Sequence, residues 1–169
     1  MGKDMFKTTK LTAAVLALAL AGPLAAQDGT PKAGGTLNVV IQPEPPSLMI
    51  GLVQNGPTQM VGGDIYESLL RYDFDLKPEG QLAESWEISE DGKTYTFKLR
   101  KGVVFHDGEP FTSADVEFSM DKFLRETHSR MRTYMEHVES IETPDDYTVV
   151  FKLKQPFGPF IGIFEAGTA

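Results

Sequence analysis

An α+β domain with a mostly antiparallel sheet and two or three helices is the fold this sequence predicts, on three observations. Residues 85–100 and 137–154 each alternate apolar and polar side chains on both sides of a turn, as hairpins do. A helical period separates the two hairpins, over "TSADVEFSMDKFL". The resulting order of elements, strand, loop, helix, hairpin, helix, hairpin, contains no repeat of solenoid length and no low-complexity tract.

The chain begins with "MGKDMFKTTKLTAAVLALALAGPLAAQDGT", in which Lys3, Lys7 and Lys10 precede an apolar run from Leu11 to Ala21 and a Gly-Pro break. This is the pattern of a secretory signal peptide over 1–26, with cleavage expected after Ala26. The run is shorter than the roughly 20 residues that a membrane span needs. "GGTLNVVI", Gly34 to Ile41, is rich in β-branched residues and predicts a strand. "QPEPPSL" then ends it, because proline supplies no ladder donor and biases its predecessor toward extended backbone. A helix is expected over Gln59 to Tyr72, where Val61, Ile65 and Leu69 recur at helical spacing, with Thr58 as its N-cap.

In "SWEISEDGKTYTFKLR", Tyr95, Phe97 and Leu99 form one apolar face, Trp86 and Ile88 alternate in the same way on the preceding strand, and "EDGK" reverses the chain. "HDGEP" then turns into a second helix. Thr112 stands at the N-cap position, Asp115 three residues later completes a capping box, and Val116, Met120 and Phe123 follow at helical spacing. In "HVESIETPDDYTVVFKLK" the apolar face is Val149, Phe151 and Leu153, and "TPDD" is the expected turn. The chain finishes on "FGPFIGIFEAGTA" with no helix stop or polar tail, which reads as an interrupted element; residues 27–169 are therefore expected to be the N-terminal portion of something longer.

The formal net charge is −8; removal of residues 1–26 takes away three lysines and one aspartate and leaves 13 cations against 23 carboxylates, or −10. Nucleic acid and anionic lipid both need positive charge to displace counterions, so neither is an expected partner. The chain has no cysteine, which excludes disulfides and a cysteine-linked lipid anchor. A periplasmic location fits these features.

The cluster with the most chemistry in its side chains is "FHDGEPFTSADV" at 105–116. As a metal or acid/base site it would need His106, Asp107 and Glu109 to converge with further ligands, which neighbours on a tight turn do not supply, and His128 and His137 add no HExxH spacing. The turn-and-cap reading is preferred, with no catalytic residue, no metal and no cofactor. "DFDLKPE" begins like a calcium loop but lacks its glycine and terminal glutamate, and reads as a solvated connection. "RETHSRMR" gathers Arg125, Arg130, Arg132 and His128; an exposed helix end is favoured over an anion site. No phosphate loop and no G-x-S-x-G setting occurs.

"GGTLNVV", "IYESLLRYD", "LAESWEISEDGKTYTFKLRKGVVFHDGEPFTSADV" and "DDYTVVFKLKQPFGPFI" together resemble the successive blocks of family 5 extracytoplasmic solute-binding proteins, the peptide, oligopeptide and nickel receptors of ABC importers. The block from Leu82 to Val116 is the specific one. The resemblance implies the N-terminal part of a periplasmic-binding-protein type II fold: the first strand of the ligand-facing lobe plus an extra subdomain with two hairpins. It implies capture of a small solute, expected to be a peptide, and delivery to an inner-membrane ABC permease. Ligand contacts carried over from the family fall on Glu44, Pro46, Ser47, Leu48, Asn55, Thr58, Gln59 and Met60, with a further stretch at Phe164 to Ala166. Two other readings compete with it, a small autonomous secreted interaction or chaperone domain and a secreted hydrolase using His106.

Overall fold

The structure, a computed structural model, describes residues 33–165. The expected signal peptide lies outside the described residues. Of the described residues, 33–39 fall in one unit and those from Val40 onward in a second.

The predicted strand at 34–41 does not form. Its residues are in neither helix nor strand, and Leu37 and Val40 are each 86% exposed. β-propensity describes fit to a neighbouring pleated surface, and none of the described strands pairs with this stretch.

In the second unit the elements run α1 (Gly56–Gly62), β1 (Leu70–Tyr72), β2 (Pro78–Gly80), β3 (Ala83–Ile88), β4 (Thr94–Leu99), α2 (Ser113–Glu117), a π-helical stretch (Phe118–Leu124), α3 (Arg125–Thr127), α4 (Ser129–Met135), β5 (Val138–Asp145), β6 (Thr148–Leu153) and a 3₁₀ helix (Gly158–Phe164). The main sheet has the order β3-β4-β6-β5, every neighbour antiparallel. The α+β prediction with two sequential hairpins is therefore realised, and the two hairpins zip together through β4 and β6, with Phe97 opposite Val149 and Tyr95 opposite Phe151.

One sheet face is dry. Tyr95, Phe97, Leu99, Val149, Phe151 and Leu153 are all buried, as their alternation requires. β3 is an edge strand, so its two predicted inward residues fare less well: Trp86 is half-buried against the core and Ile88 is exposed. Against the dry face lies the 3₁₀ helix that the apolar ending forms. Its Phe164 ring sits 4.6 Å from Phe97 and 5.0 Å from Phe151, and Phe160 lies 5.0 Å from Tyr95 in an edge arrangement, the geometries that aromatic quadrupoles favour.

Three boundaries differ from expectation. The first helix runs over 56–62 and stops, instead of spanning 59–72. Asn55, not Thr58, is the N-cap, its Oδ1 accepting from Thr58 N at 2.8 Å. The Gly62-Gly63 pair ends the helix; a Cβ at Gly62 would collide with Ile50 Cγ2, and glycine is a poor helix interior residue. The apolar residues counted toward that helix go elsewhere: Leu69 and Leu70 enter the core, and Leu70–Tyr72 pairs with Pro78–Gly80 as a small hairpin. The first five residues of "DFDLKPE", 73–77, are its turn, Asp73 Oδ1 accepting from Asp75 N and Lys77 N, with Arg71 and Glu79 paired across the strands at 2.9 Å.

The second hairpin turns at Asp146-Tyr147, three residues after the start of the predicted "TPDD" turn, because β5 carries a register shift between Glu142 and Asp145 that absorbs Pro144. Finally, the second helix widens to π geometry after Glu117. The wider turns bring Val116, Met120 and Leu124 inside, so Leu124 takes the buried position expected of Phe123, which is only partly buried.

Candidate functional site

The "HDGEP" stretch folds as a closed turn. Phe105 N donates to Glu109 O at 2.8 Å, Gly108 N to Phe105 O at 2.9 Å, and Asp107 Oδ1 accepts from Glu109 N at 3.1 Å. Gly108 sits at φ +93°, a backbone geometry that favours glycine. His106, Asp107 and Glu109 are all exposed, and among the described residues no group of three or more His, Asp or Glu side chains is placed to hold a metal ion.

The turn feeds α2 through Thr112, as the capping box predicts. The Asp115 carboxylate carries the box: its Oδ2 accepts from Thr112 N at 2.8 Å and from Thr112 Oγ1 at 3.0 Å. Ser113, buried, ties the same helix start to the second hairpin, its Oγ donating to Asp145 O at 2.7 Å and its N to Asp146 O at 2.8 Å. Thr112→Ala is expected to lower stability by about 1 kcal/mol. Asp115→Ala removes the acceptor of both bonds and should cost at least as much; urea midpoints of the two variants check the order.

The loop from Gln42 to Gln54 is irregular, and two of its main-chain oxygens are fastened by buried or partly buried hydroxyls. Thr58 Oγ1, fully buried, donates to Ser47 O at 3.0 Å, and Thr127 Oγ1 donates to Gly51 O at 3.1 Å. Gly51 lies so close to the π-helical stretch that a Cβ there would come 2.5 Å from Phe123 Cε1. The first fastening brings together the two segments that carry the expected ligand contacts, 44–48 and 55–60. Their side chains divide into two sets. Asn55 and Thr58 are consumed internally, as cap and tether, while Glu44, Pro46, Leu48 and Met60 are exposed and Ser47 and Gln59 half-buried. Phe164, in the third expected stretch, is core, Glu165 is exposed, and Ala166 lies outside the described residues.

Beside this loop a groove of about 620 Å³ runs between Met49–Gly51, the 64–69 connection, the "VVFH" segment after β4 and the π-helical stretch. Its lining is mostly apolar, including Ile65, Val104, Phe105 and Met120, with Asp64, Tyr66, Glu67, His106 and Asp115 as ionisable members. The buried Ser68 hydroxyl beneath it has no hydrogen-bond partner. Ordinary sequence signals gave no hint of this groove, because it arises where the chain leaves the helical path after Gly63.

"RETHSRMR" also departs from expectation. His128 is 2% exposed and breaks the helix with extended backbone, its Nδ1 accepting from Met131 N at 3.2 Å as the N-cap of α4. Burial, with Arg130 nearby, holds its imidazole below the usual histidine range. The neutral tautomer with a free Nδ1 lone pair is the one the cap requires.

Residues 77–168 match the family described as bacterial extracellular solute-binding proteins, family 5 Middle. The glutathione-binding protein GsiB of Pectobacterium atrosepticum is 39% identical over 106 residues, 62% of this chain and 20% of that protein. The binding protein AgaA of A. tumefaciens R10, solved with agropinic acid, superposes with a TM-score of 0.67 at 34% identity, over 74% of this chain and 26% of that one. The periplasmic binding protein DppA of Helicobacter pylori, solved with the peptide STSA, gives 0.59 at 35% identity, over 72% and 27%. The chain thus spans about a fifth of the length of the curated relatives it matches.

Proposed function

The chain belongs to the family 5 bacterial extracellular solute-binding proteins, and from that membership we propose that it forms part of a periplasmic receptor that captures a small solute, of the peptide class, and hands it to an inner-membrane ABC permease. The proposal includes export by residues 1–26 with cleavage after Ala26, and residues 27–169 as the N-terminal portion of the receptor. No chemical change to the solute is involved. Binding would stabilise a closed form over an open one, a shift that can only be as large as the difference in affinity between them.

The observation that carries this reading is the tethered loop. Its backbone is not consumed by a ladder, it is held at Ser47 O and Gly51 O, and it leaves Glu44, Pro46 and Leu48 exposed near α1, whose Met60 is exposed as well. Glu44, Pro46, Ser47, Leu48, Gln59 and Met60 are proposed as ligand contacts, with Asn55 and Thr58 acting through the positions they fix. Relatives that bind glutathione and peptides support a peptide-like solute.

Native mass spectrometry of the receptor purified from its host should find a retained solute. Glu44→Lys with Leu48→Asp, both at exposed positions, should cut its retention at least tenfold while leaving the circular dichroism spectrum unchanged. Full retention in the double variant would remove the loop from the site. The chain of residues 27–169 alone is expected to bind peptides weakly by calorimetry. Peptide turnover abolished by His106→Ala would replace the receptor reading with a hydrolase.

A further inference from the structure

The corner between α3 and α4 is made of Thr127, His128 and Ser129, and both outer residues of the three touch the loop that carries the proposed solute contacts. Thr127 Oγ1 lies 3.1 Å from Gly51 O, and Ser129 Oγ accepts from Gln54 Nε2 at 3.5 Å. His128, between them, is buried and makes the corner. Its N donates to Leu124 O at 2.9 Å, its O accepts from Arg132 N at 3.0 Å and its Nδ1 accepts from Met131 N at 3.2 Å. One helix is thus closed and the next opened at a single residue, whose φ of −106° and ψ of 108° turn the chain.

The hold of this corner on the loop is finely balanced. The Thr127 hydroxyl has one proton, and two carbonyls stand within its reach: Phe123 O at 2.9 Å, one turn back in the chain, and Gly51 O at 3.1 Å in the loop. The nearer acceptor is local and always at hand, whereas the farther is reached only while the backbone at 127 keeps its place. Gly51 is itself buried against the Phe123 ring. A hydroxyl that shifts away from the loop therefore keeps the local bond and loses the one to Gly51.

We infer that His128 is a positioning residue for the solute-contacting loop: its Nδ1 cap on α4 fixes the corner from which Thr127 reaches Gly51 O, and the loop loosens around Gly51 when that cap is lost. The other fastening, from the buried Thr58 to Ser47 O, lies outside this corner and stays in place. The role in solute capture rests on the loop being a solute contact, as proposed above; the corner is tested without solute.

The test is amide hydrogen exchange on the isotopically labelled 169-residue chain. It is read at Leu52 and Val53, which donate to Met49 O at 3.1 and 3.2 Å, with Phe97 and Phe151 in the two central strands as references. His128→Leu, which fills the buried space but offers no acceptor, should speed exchange at Leu52 and Val53 by about fivefold or more relative to the references. His128→Asn, which supplies an acceptor for Met131 N, should bring them to within about twofold of the parent chain. Thr127→Val removes the hydroxyl at constant shape and should act like His128→Leu; the double variant should be no faster than the faster single one, because both act through one hydrogen bond. Multiplied effects in the double variant, parent-like exchange in His128→Leu or Thr127→Val, or no rescue by His128→Asn would each overturn the inference. Should His128→Leu fail to fold, His128→Ala is read in its place against the same limits. Solute retention by the receptor should fall in His128→Leu as well; a loosened loop with undiminished retention would count against the loop as a solute contact and not against the corner.

Discussion

Phe164→Ala is expected to lower the free energy of unfolding by about 3–5 kcal/mol, a large share of the roughly 5–15 kcal/mol that holds a domain together. Phe164 is fully buried, with ring neighbours Phe97, Phe151 and Phe160 on three sides, and these cannot collapse into the space because Phe97 and Phe151 are pinned by sheet register. The loss therefore includes a cavity term as well as the transfer of the ring. Phe118→Ala is the matched control: that ring is 62% exposed, and its removal should change stability by no more than about 0.5 kcal/mol. Urea denaturation of the two variants separates them. Equal midpoints would mean that the 3₁₀ helix does not pack on the sheet as described.

The second large effect is one of pH. The His128 pKa is lower in the folded chain than its ordinary value of 6.5, chiefly through burial and secondarily through Arg130. The unfolded chain then binds the extra proton first, so stability is fully present above about pH 6.5 and falls as pH drops from there toward the folded value. Protonation also removes the lone pair that accepts from Met131 N, so the N-cap of α4 is lost with the charge change. Asp121, held below the ordinary carboxylate range by its hydrogen bond to Lys122 and by Arg125, acts in a separate window: its stabilisation is present above pH 3.8 and disappears below it. Thermal midpoints measured from pH 7.5 to 4.5 should decline in the parent chain. In His128→Asn, which keeps an acceptor for Met131 N but does not titrate, the decline over that range should be markedly smaller. Parallel curves for the two chains would rule out His128 as the origin.

How much of this could be read from residues alone depended on whether a signal was local. The hairpins and the capping box were legible because alternation, turn chemistry and the Thr112–Asp115 spacing act within a few residues. The helix at 59–72 misled because Val61, Ile65 and Leu69 fit a helical period, while the decision lay with the close approach of Gly62 to Ile50 and with a strand partner for Leu70 at Gly80. Neither is visible in a window of neighbouring residues. The failed strand at 34–41 has the same origin, since a strand needs a ladder and its sequence specifies only the willingness to join one. His128 was hidden for the opposite reason: a polar residue among arginines gives no local sign that it will be buried. For the candidate site, the two segments were identified but the division of labour within them was not. That Asn55 and Thr58 hold the loop while Glu44 and Met60 face out follows from hydrogen bonds across a gap of up to 11 residues.

Two hydroxyl fastenings of the 42–54 loop end on main-chain oxygens, those of Ser47 and Gly51. Every residue type supplies such an oxygen, so point changes along most of the loop can alter what it presents without loosening its attachment; Gly51, crowded by Phe123, Ile50, buried against Gly62, and Gln54, bonded to Ser129 Oγ, are exceptions. A surface mounted in this manner can drift toward new cargo by single substitutions while its supports stay in place.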